Sequence, residues 1–276
     1  MPEPFSSLGE SWLWLGGSLL FAILWANLAW YFRQPRSGPI GEFVTRVTSW
    51  RFAPLLLQFL RLLYYIGLPA TAFLWRHAIV QRYLGLSSGL IEDVWLEWAH
   101  ETGWAAALGF GAWALLALGW WTYRRALHAA EEKSPVDGTN ASGWTLLREA
   151  AYHEVHWAFY RNAPVILALK QFGGEEYWGA WIGLALVALE ATLNPAWRKG
   201  LADPEKAPMH LMRGALAVVS GAFFILTKDG NLLLALLLHF GVSSGLSILV
   251  RIFPLLPPHR HEQAQAPATD SETSVV

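Results

Sequence analysis

Long apolar runs recur along this 276-residue chain, and they restrict its possible folds more than any other feature. A bilayer core about 30 Å thick is crossed by roughly 20 apolar helical residues. Windows of this kind lie near residues 12–32, 53–75, 103–123, 145–169, 177–194, 209–227 and 231–250, and the fourth is the least apolar. We therefore predict an all-α fold: a polytopic integral membrane helical bundle with about seven transmembrane spans in the lipid bilayer.

Composition narrows the possible functions. Hydrophobic residues make up 54% of the chain and charged residues 15%, which excludes a disordered protein. The 20 Lys and Arg against 21 Asp and Glu leave a formal charge of −1, which argues against a nucleic-acid partner. Because the chain has no Cys, it can have no disulfide, thiolate metal site or Cys nucleophile.

Basic residues collect in alternate connections between the predicted spans. The connections after spans one, three and five are rich in Lys and Arg, whereas the opposite ones hold few. Cytoplasmic loops carry this excess in membrane proteins. The pattern predicts an N-terminus outside and a C-terminus inside, in the cytoplasmic membrane of a bacterium.

The connections and ends suggest a division of the chain. Residues 1–144 would form an N-terminal membrane segment with three spans and a cytoplasmic loop, and residues 145–256 a four-span core. Residues 89–100 place apolar and acidic side chains on opposite helical faces, which predicts an interfacial helix. Residues 257–276 lack periodicity and predict a disordered cytoplasmic tail.

Span four carries an unusual density of polar groups. In REAAYHEVHWAFYRNAP, one helical stripe holds Glu149, His153, His156 and Tyr160, and a neighbouring stripe holds Glu154, Trp157 and Arg161. Ionisable groups are costly in hydrocarbon, so this helix must face protein or a water-filled cavity. The pattern indicates either a functional site or a structural polar network, in which Glu154 neutralises Arg161.

Three other spans add polar side chains. Span five carries Glu190 and Asn194 one turn apart, and span seven carries His239 and Ser243. The pair His239 and His156, together with Glu190, has the ligand types of a catalytic divalent metal such as Zn. A lone intramembrane His also commonly serves as a hydrogen-bond donor between helices. Arg61 in span two either pairs with an acid of span four or snorkels to the membrane surface.

The order of these motifs resembles the CPBP (Abi) family of intramembrane proteases, to which CAAX prenyl endopeptidases belong. The resemblance covers about residues 145–250: HEVHWAFYRN with Arg161, LEATLNP, and the turn TKDGN followed by His239. The family pattern has a Glu pair before the Arg, a His in the second motif and an Asn one turn after the last His. This chain departs from it in all three, with Ser243 at the last position.

The resemblance implies hydrolysis of a membrane-associated, possibly prenylated, peptide by a Glu-activated water. Arg161 and His239 carry over directly, and Glu154 would be the general base. Asn194 would stabilise the oxyanion, and a metal would be held by His156, Glu190 and His239.

Two further classes of function compete with this hypothesis. One is a catalytically inactive CPBP-like subunit that binds protein partners, a pigment or haem within a larger membrane complex. The other is an oxidoreductase with a carboxylate and imidazole metal site.

Overall fold

A computed structural model describes residues 4–34, 37–74, 94–129, 142–167, 175–204, 206–227 and 230–253. These residues form helices and short connections, with no strand among them, so the all-α prediction is confirmed for this part of the chain. The helices are α1 (Pro4–Arg33), α2 (Pro39–Thr48), α3 (Ala53–Leu62), a π-helical turn (Leu63–Gly67), α4 (Leu68–Leu74), α5 (Val94–Ala129), α6 (Gly143–Leu167), α7 (Glu175–Leu193), α8 (Pro195–Ala202), α9 (Ala207–Thr227) and α10 (Leu232–Ile252).

Several helices are long and apolar enough to cross a membrane. Five pass this test alone: Leu13–Arg33, Ala53–Thr71, Trp95–Ala126, Ala207–Thr227 and Leu232–Ile252. A sixth span is obtained if α7 and α8, which meet at 81°, are counted together. The chain is therefore an integral membrane protein by the length and composition of its helices. Helix α6, which covers the predicted fourth span, is not among these helices, and the count of seven stays a prediction.

Large apolar side chains cover the outside of the bundle. Leu13, Leu55, Phe110 and Leu115 are each at least 70% exposed. A soluble monomer rarely exposes apolar patches of this extent, because they would associate or aggregate. In a bilayer the same side chains contact lipid at no cost.

Helix α6 lies at the centre of the bundle, although it is the most polar of the long helices. It packs against α7, α10, α1 and the π-helical turn. Every residue from His156 to Asn162 is buried. Because protein rather than lipid surrounds this segment, its charged and polar groups can be satisfied by neighbouring helices.

The main apolar core lies between α5, α6, α9 and α10. Trp157 of α6 packs there with Leu216 and Phe223 of α9 and with Leu238 and Val242 of α10. A smaller cluster joins Leu15 of α1 to Phe159 and Tyr160 of α6. The two clusters hold α6 from opposite sides and fix which of its faces meets each neighbour.

The described part of the predicted interfacial helix at residues 89–100 is helical, but it is not a separate helix. Residues 94–100 are the first turns of α5, which continues without a break to Ala129. This stretch contains neither Gly nor Pro before Gly103, so nothing in the sequence ends a helix there. Residues 89–93, the loop at 131–141 and the tail at 257–276 lie outside the described residues.

A short amphipathic helix occurs instead in the connection after α1. Helix α2 begins at Pro39, after Gly38 with φ of 85°, and contains no buried residue. Ile40, Phe43 and Val47 are exposed along one face. This helix has the composition of one that lies along a membrane surface.

Candidate functional site

A wholly buried carboxylate, Glu154 of α6, links three helices. Its Oε1 accepts a hydrogen bond from His239 Nδ1 of α10 at 2.9 Å. Its Oε2 accepts a hydrogen bond from the hydroxyl of Ser220 in α9. Arg161 Nη2 lies 3.8 Å from the same Oε2, and Arg161 Nη1 donates to Ser220 at 2.8 Å. We call Glu154, Arg161, Ser220 and His239 the first polar centre.

The imidazole of His239 is held in one orientation. The carboxylate of Glu154 only accepts hydrogen bonds, so Nδ1 of His239 carries a proton. The ring lies nearly parallel to those of Trp157 and His153, with centroids 5.5 Å and 5.8 Å away. Within the described part of the chain, Nε2 on the opposite edge of the ring forms no hydrogen bond.

A cavity of about 410 Å³ lies beside this imidazole. It is lined by α6, α9, α10, the end of α3 and Trp120 of α5. Its wall is mostly apolar, and it includes His239 and Ser243, one turn apart on α10. Its polar lining also includes Arg61, Glu149, His153 and Arg213. We call it the first cavity.

A second carboxylate–imidazole pair lies on another face of α6. His156 Nε2 donates to Glu190 Oε2 of α7 at 2.9 Å, and the hydroxyl of Tyr160 donates to the same oxygen at 3.0 Å. The hydroxyl of Tyr64 lies 3.4 Å from His156 Nε2. His156 Nδ1 is buried and has no partner in the described part of the chain. We call these four residues the second polar centre.

The carboxylate of this second pair meets a different cavity. Glu190 lines a space of about 400 Å³ between α1, α3, the π-helical turn and α7, together with Tyr64 and Asn194. His156, which is as buried as His239, does not line it. We call this space the second cavity.

Arg61 has an acidic partner in α6, as one of the two sequence alternatives predicted. Its guanidinium binds both oxygens of Glu149, at 3.1 Å and 2.7 Å. Arg148 also contacts Glu149, at 3.2 Å. Arg61 lines both cavities and lies between them.

A glycine allows α7 to pack tightly against the first polar centre. A Cβ placed on Gly183 would lie 2.7 Å from Arg161 Cγ and 2.9 Å from Arg161 Cα. Only a residue without a side chain permits this approach, which places α7 directly beside the buried guanidinium.

Asn194 has a role in local structure. Its side-chain oxygen accepts hydrogen bonds from the backbone N–H groups of Ala196 and Trp197, and so caps α8. It borders the second cavity with Glu190, whereas His239 borders the first.

The predicted metal ligands fall into two different pairs. Glu190 bonds to His156, while His239 bonds to Glu154. Across the described residues, no group of three or more His, Asp or Glu side chains is arranged to hold a metal ion. A zinc site therefore stays a prediction from residue types.

Three residues near the first polar centre were not among the predicted site residues. Ser220 gives no signal in the sequence, because a Ser in an apolar helix is common. His153 was placed in the polar stripe but not assigned a role. Arg213 falls at the start of the predicted sixth span, and the structure places it in the wall of the first cavity.

No protein-family model, curated protein or solved structure matches this chain. The CPBP resemblance accordingly rests on the residues and motif order given above.

Proposed function

We propose that the protein is an intramembrane hydrolase that cleaves a membrane-associated peptide in the first cavity. The observation that carries the proposal is the position of His239, between a buried carboxylate and a cavity. A carboxylate that orients an imidazole, which in turn meets the reacting molecule, is a recurrent arrangement of general-base catalysis. The CPBP resemblance supports a lipid-linked substrate, such as a prenylated peptide.

The structure favours other roles for Glu154 and His239 than those that the sequence suggested. Both oxygens of Glu154 are engaged by His239, Ser220 and Arg161, and the residue is 0% exposed. Its carboxylate therefore meets no cavity water directly. In the proposed mechanism His239 is the general base, and Glu154 holds its tautomer and stabilises the imidazolium.

Nε2 of His239 takes a proton from a cavity water while the water oxygen forms a bond to the carbonyl carbon of the peptide. When the C–N bond breaks, the imidazolium returns the proton to the departing amine. The products are a carboxylic acid and an amine, and no redox partner is needed. Ser243, which lines the same cavity, is a hydrogen-bond donor for the developing oxyanion.

The test compares two histidines of the same helix bundle. Full-length wild type, His239→Gln and His156→Gln would be reconstituted in liposomes with a quenched fluorescent farnesylated peptide. We expect cleavage by wild type and by His156→Gln, and a loss of roughly 10²-fold or more in His239→Gln, since a general base contributes about 10²–10⁴-fold. Absence of cleavage by wild type would favour the inactive-subunit hypothesis, which predicts purification in a stable complex.

Zinc analysis of the same preparations tests the metal hypothesis. A metal held by His156, Glu190 and His239 requires all three ligands, so both His variants would lose it. Loss of zinc and of cleavage in both variants would replace the proposed mechanism with a metal-bound water.

We also propose that the bundle crosses the membrane seven times, with its N-terminus outside. Five helices and the α7–α8 pair provide six spans, and α6 is the seventh because its polar groups are buried by other helices. A reporter fused at residue 137 should signal from the cytoplasm, since this position follows the predicted third span. An external signal there would overturn the orientation.

A further inference from the structure

The charges that line the first cavity do not balance. Its wall holds two guanidinium groups, Arg61 and Arg213, and one carboxylate, Glu149. Arg61 occupies both oxygens of that carboxylate, and Arg148 makes a further contact with it. The cavity therefore has an excess of positive charge even with its one acid ionised.

Of the two cations that line the cavity, Arg213 has no direct partner among the described residues. It is partly buried in α9, and within the described residues it forms no hydrogen bond and no ion pair. It interacts with the charge of Glu149 only at a distance. An unpaired cation within a membrane helix is costly unless it meets water or an anion.

The rest of the wall is suited to an apolar chain. The cavity is lined by Leu146, Met209, Met212, Leu246 and Val250, alongside the charged groups. Its volume of about 410 Å³ lies within the range of about 300–1,000 Å³ that is usual for small-molecule sites. Such sites are mostly apolar, with a few polar groups that orient the ligand.

We propose that the first cavity binds a membrane amphiphile with one apolar chain and a negatively charged head group, and that Arg213 pairs with the head group. The apolar chain lies against the Leu, Met and Val side chains. Because His239 borders the same cavity, the bound amphiphile is placed beside the general base. That this amphiphile is the substrate rests on the proposed function. Its binding does not, because binding requires no hydrolysis.

The experiment uses two probes with the same chain and amide, one with a charged and one with a neutral head group. N-oleoylglycine has an oleoyl chain, an amide bond and a carboxylate, and N-oleoylethanolamine has a hydroxymethyl group in place of the carboxylate. Binding to the full-length protein would be measured by calorimetry in an uncharged detergent. We expect wild type to bind N-oleoylglycine roughly ten- to hundredfold more tightly, as for a buried charge-assisted hydrogen bond.

Three variants assign this preference to a residue. Arg213→Gln should remove the preference, and Arg213→Lys should keep most of it because the charge is retained. Arg198→Gln is the matched control, because Arg198 is an exposed residue of α8 that does not line the cavity. It should bind both probes as wild type does.

Equal affinity of wild type for the two probes would overturn the proposal, and this comparison depends on no variant. An unchanged preference in folded Arg213→Gln would overturn the role of Arg213. The two proposals fail separately: binding selectivity without amide cleavage by wild type contradicts only the hydrolysis, whereas cleavage without charge selectivity contradicts only the anionic head group.

Discussion

Two carboxylate–imidazole pairs lie on different faces of α6, and they differ in which member meets a cavity. In the first polar centre the carboxylate of Glu154 is buried and the imidazole of His239 lines the first cavity. In the second, the imidazole of His156 is buried and the carboxylate of Glu190 lines the second cavity. The group that lines a cavity is therefore the imidazole in the first polar centre and the carboxylate in the second.

The difference shows why residue types alone do not define a site. Glu154 has a nearby cation, Arg161, and a hydroxyl donor, Ser220, so its charge is compensated inside the protein. Glu190 is bonded to His156 and Tyr160 and is 18% exposed at its side chain. A compensated, buried carboxylate orients its partner, whereas a cavity-facing one can itself receive a ligand.

Among the variants, Glu154→Gln should lose the most stability. The amide cannot neutralise Arg161, so a buried cation would be left without its counter-charge. We expect a loss of about 3–5 kcal/mol in stability, as for the removal of one partner of a buried ion pair. Thermal unfolding in detergent measures it.

The double variant Glu154→Gln with Arg161→Gln is the control for this prediction. It removes both charges and should recover part of the lost stability. A melting temperature unchanged in Glu154→Gln would contradict the ion pair.

Gly183→Ala should destabilise the protein by about 1–3 kcal/mol, because an added methyl group would meet backbone atoms of Arg161 that cannot rotate away. The matched control is Gly221→Ala in α9, a buried position where an added Cβ meets nothing within 4 Å. There the better helix propensity of Ala should leave stability equal or higher by up to about 1 kcal/mol. If both variants unfold at the same temperature, α6 and α7 do not approach as closely as described.

Glu190→Gln should lose the least stability, about 1 kcal/mol. The amide oxygen of Gln can still accept hydrogen bonds from His156 and Tyr160, and no buried cation is left unpaired. Comparison of its unfolding with that of Glu154→Gln measures the asymmetry of the two centres. A loss as large as that of Glu154→Gln would mean that His156 is an imidazolium and that the second pair is ionic.

The sequence predicted the helical class and most of the helices, because apolar runs of about 20 residues have few other interpretations. It also predicted that α6 faces protein, and that an acid of this helix is one possible partner of Arg61. These conclusions follow from the cost of charge in hydrocarbon and need no knowledge of packing.

The pairing of the polar groups could not be predicted in the same way. The helical period places His156 and Glu154 on nearly opposite faces of α6, but the identity of the helix that meets each face depends on the rotation of α7 and α10. Ser220 and the approach at Gly183 depend on the same rotation. The helix Pro39–Thr48 was predictable in principle from Pro39 and from the spacing of Ile40, Phe43 and Val47.

The central claim is that His239 donates from Nδ1 to Glu154 and keeps Nε2 for the cavity. Nitrogen-15 NMR of histidine-labelled protein in lipid bilayers tests it directly, with the His239→Gln variant used to assign the resonances. We predict that the neutral ring of His239 carries its proton at Nδ1. A neutral ring protonated at Nε2 would contradict the account, because such a ring cannot donate to Glu154 and take a proton from a cavity water.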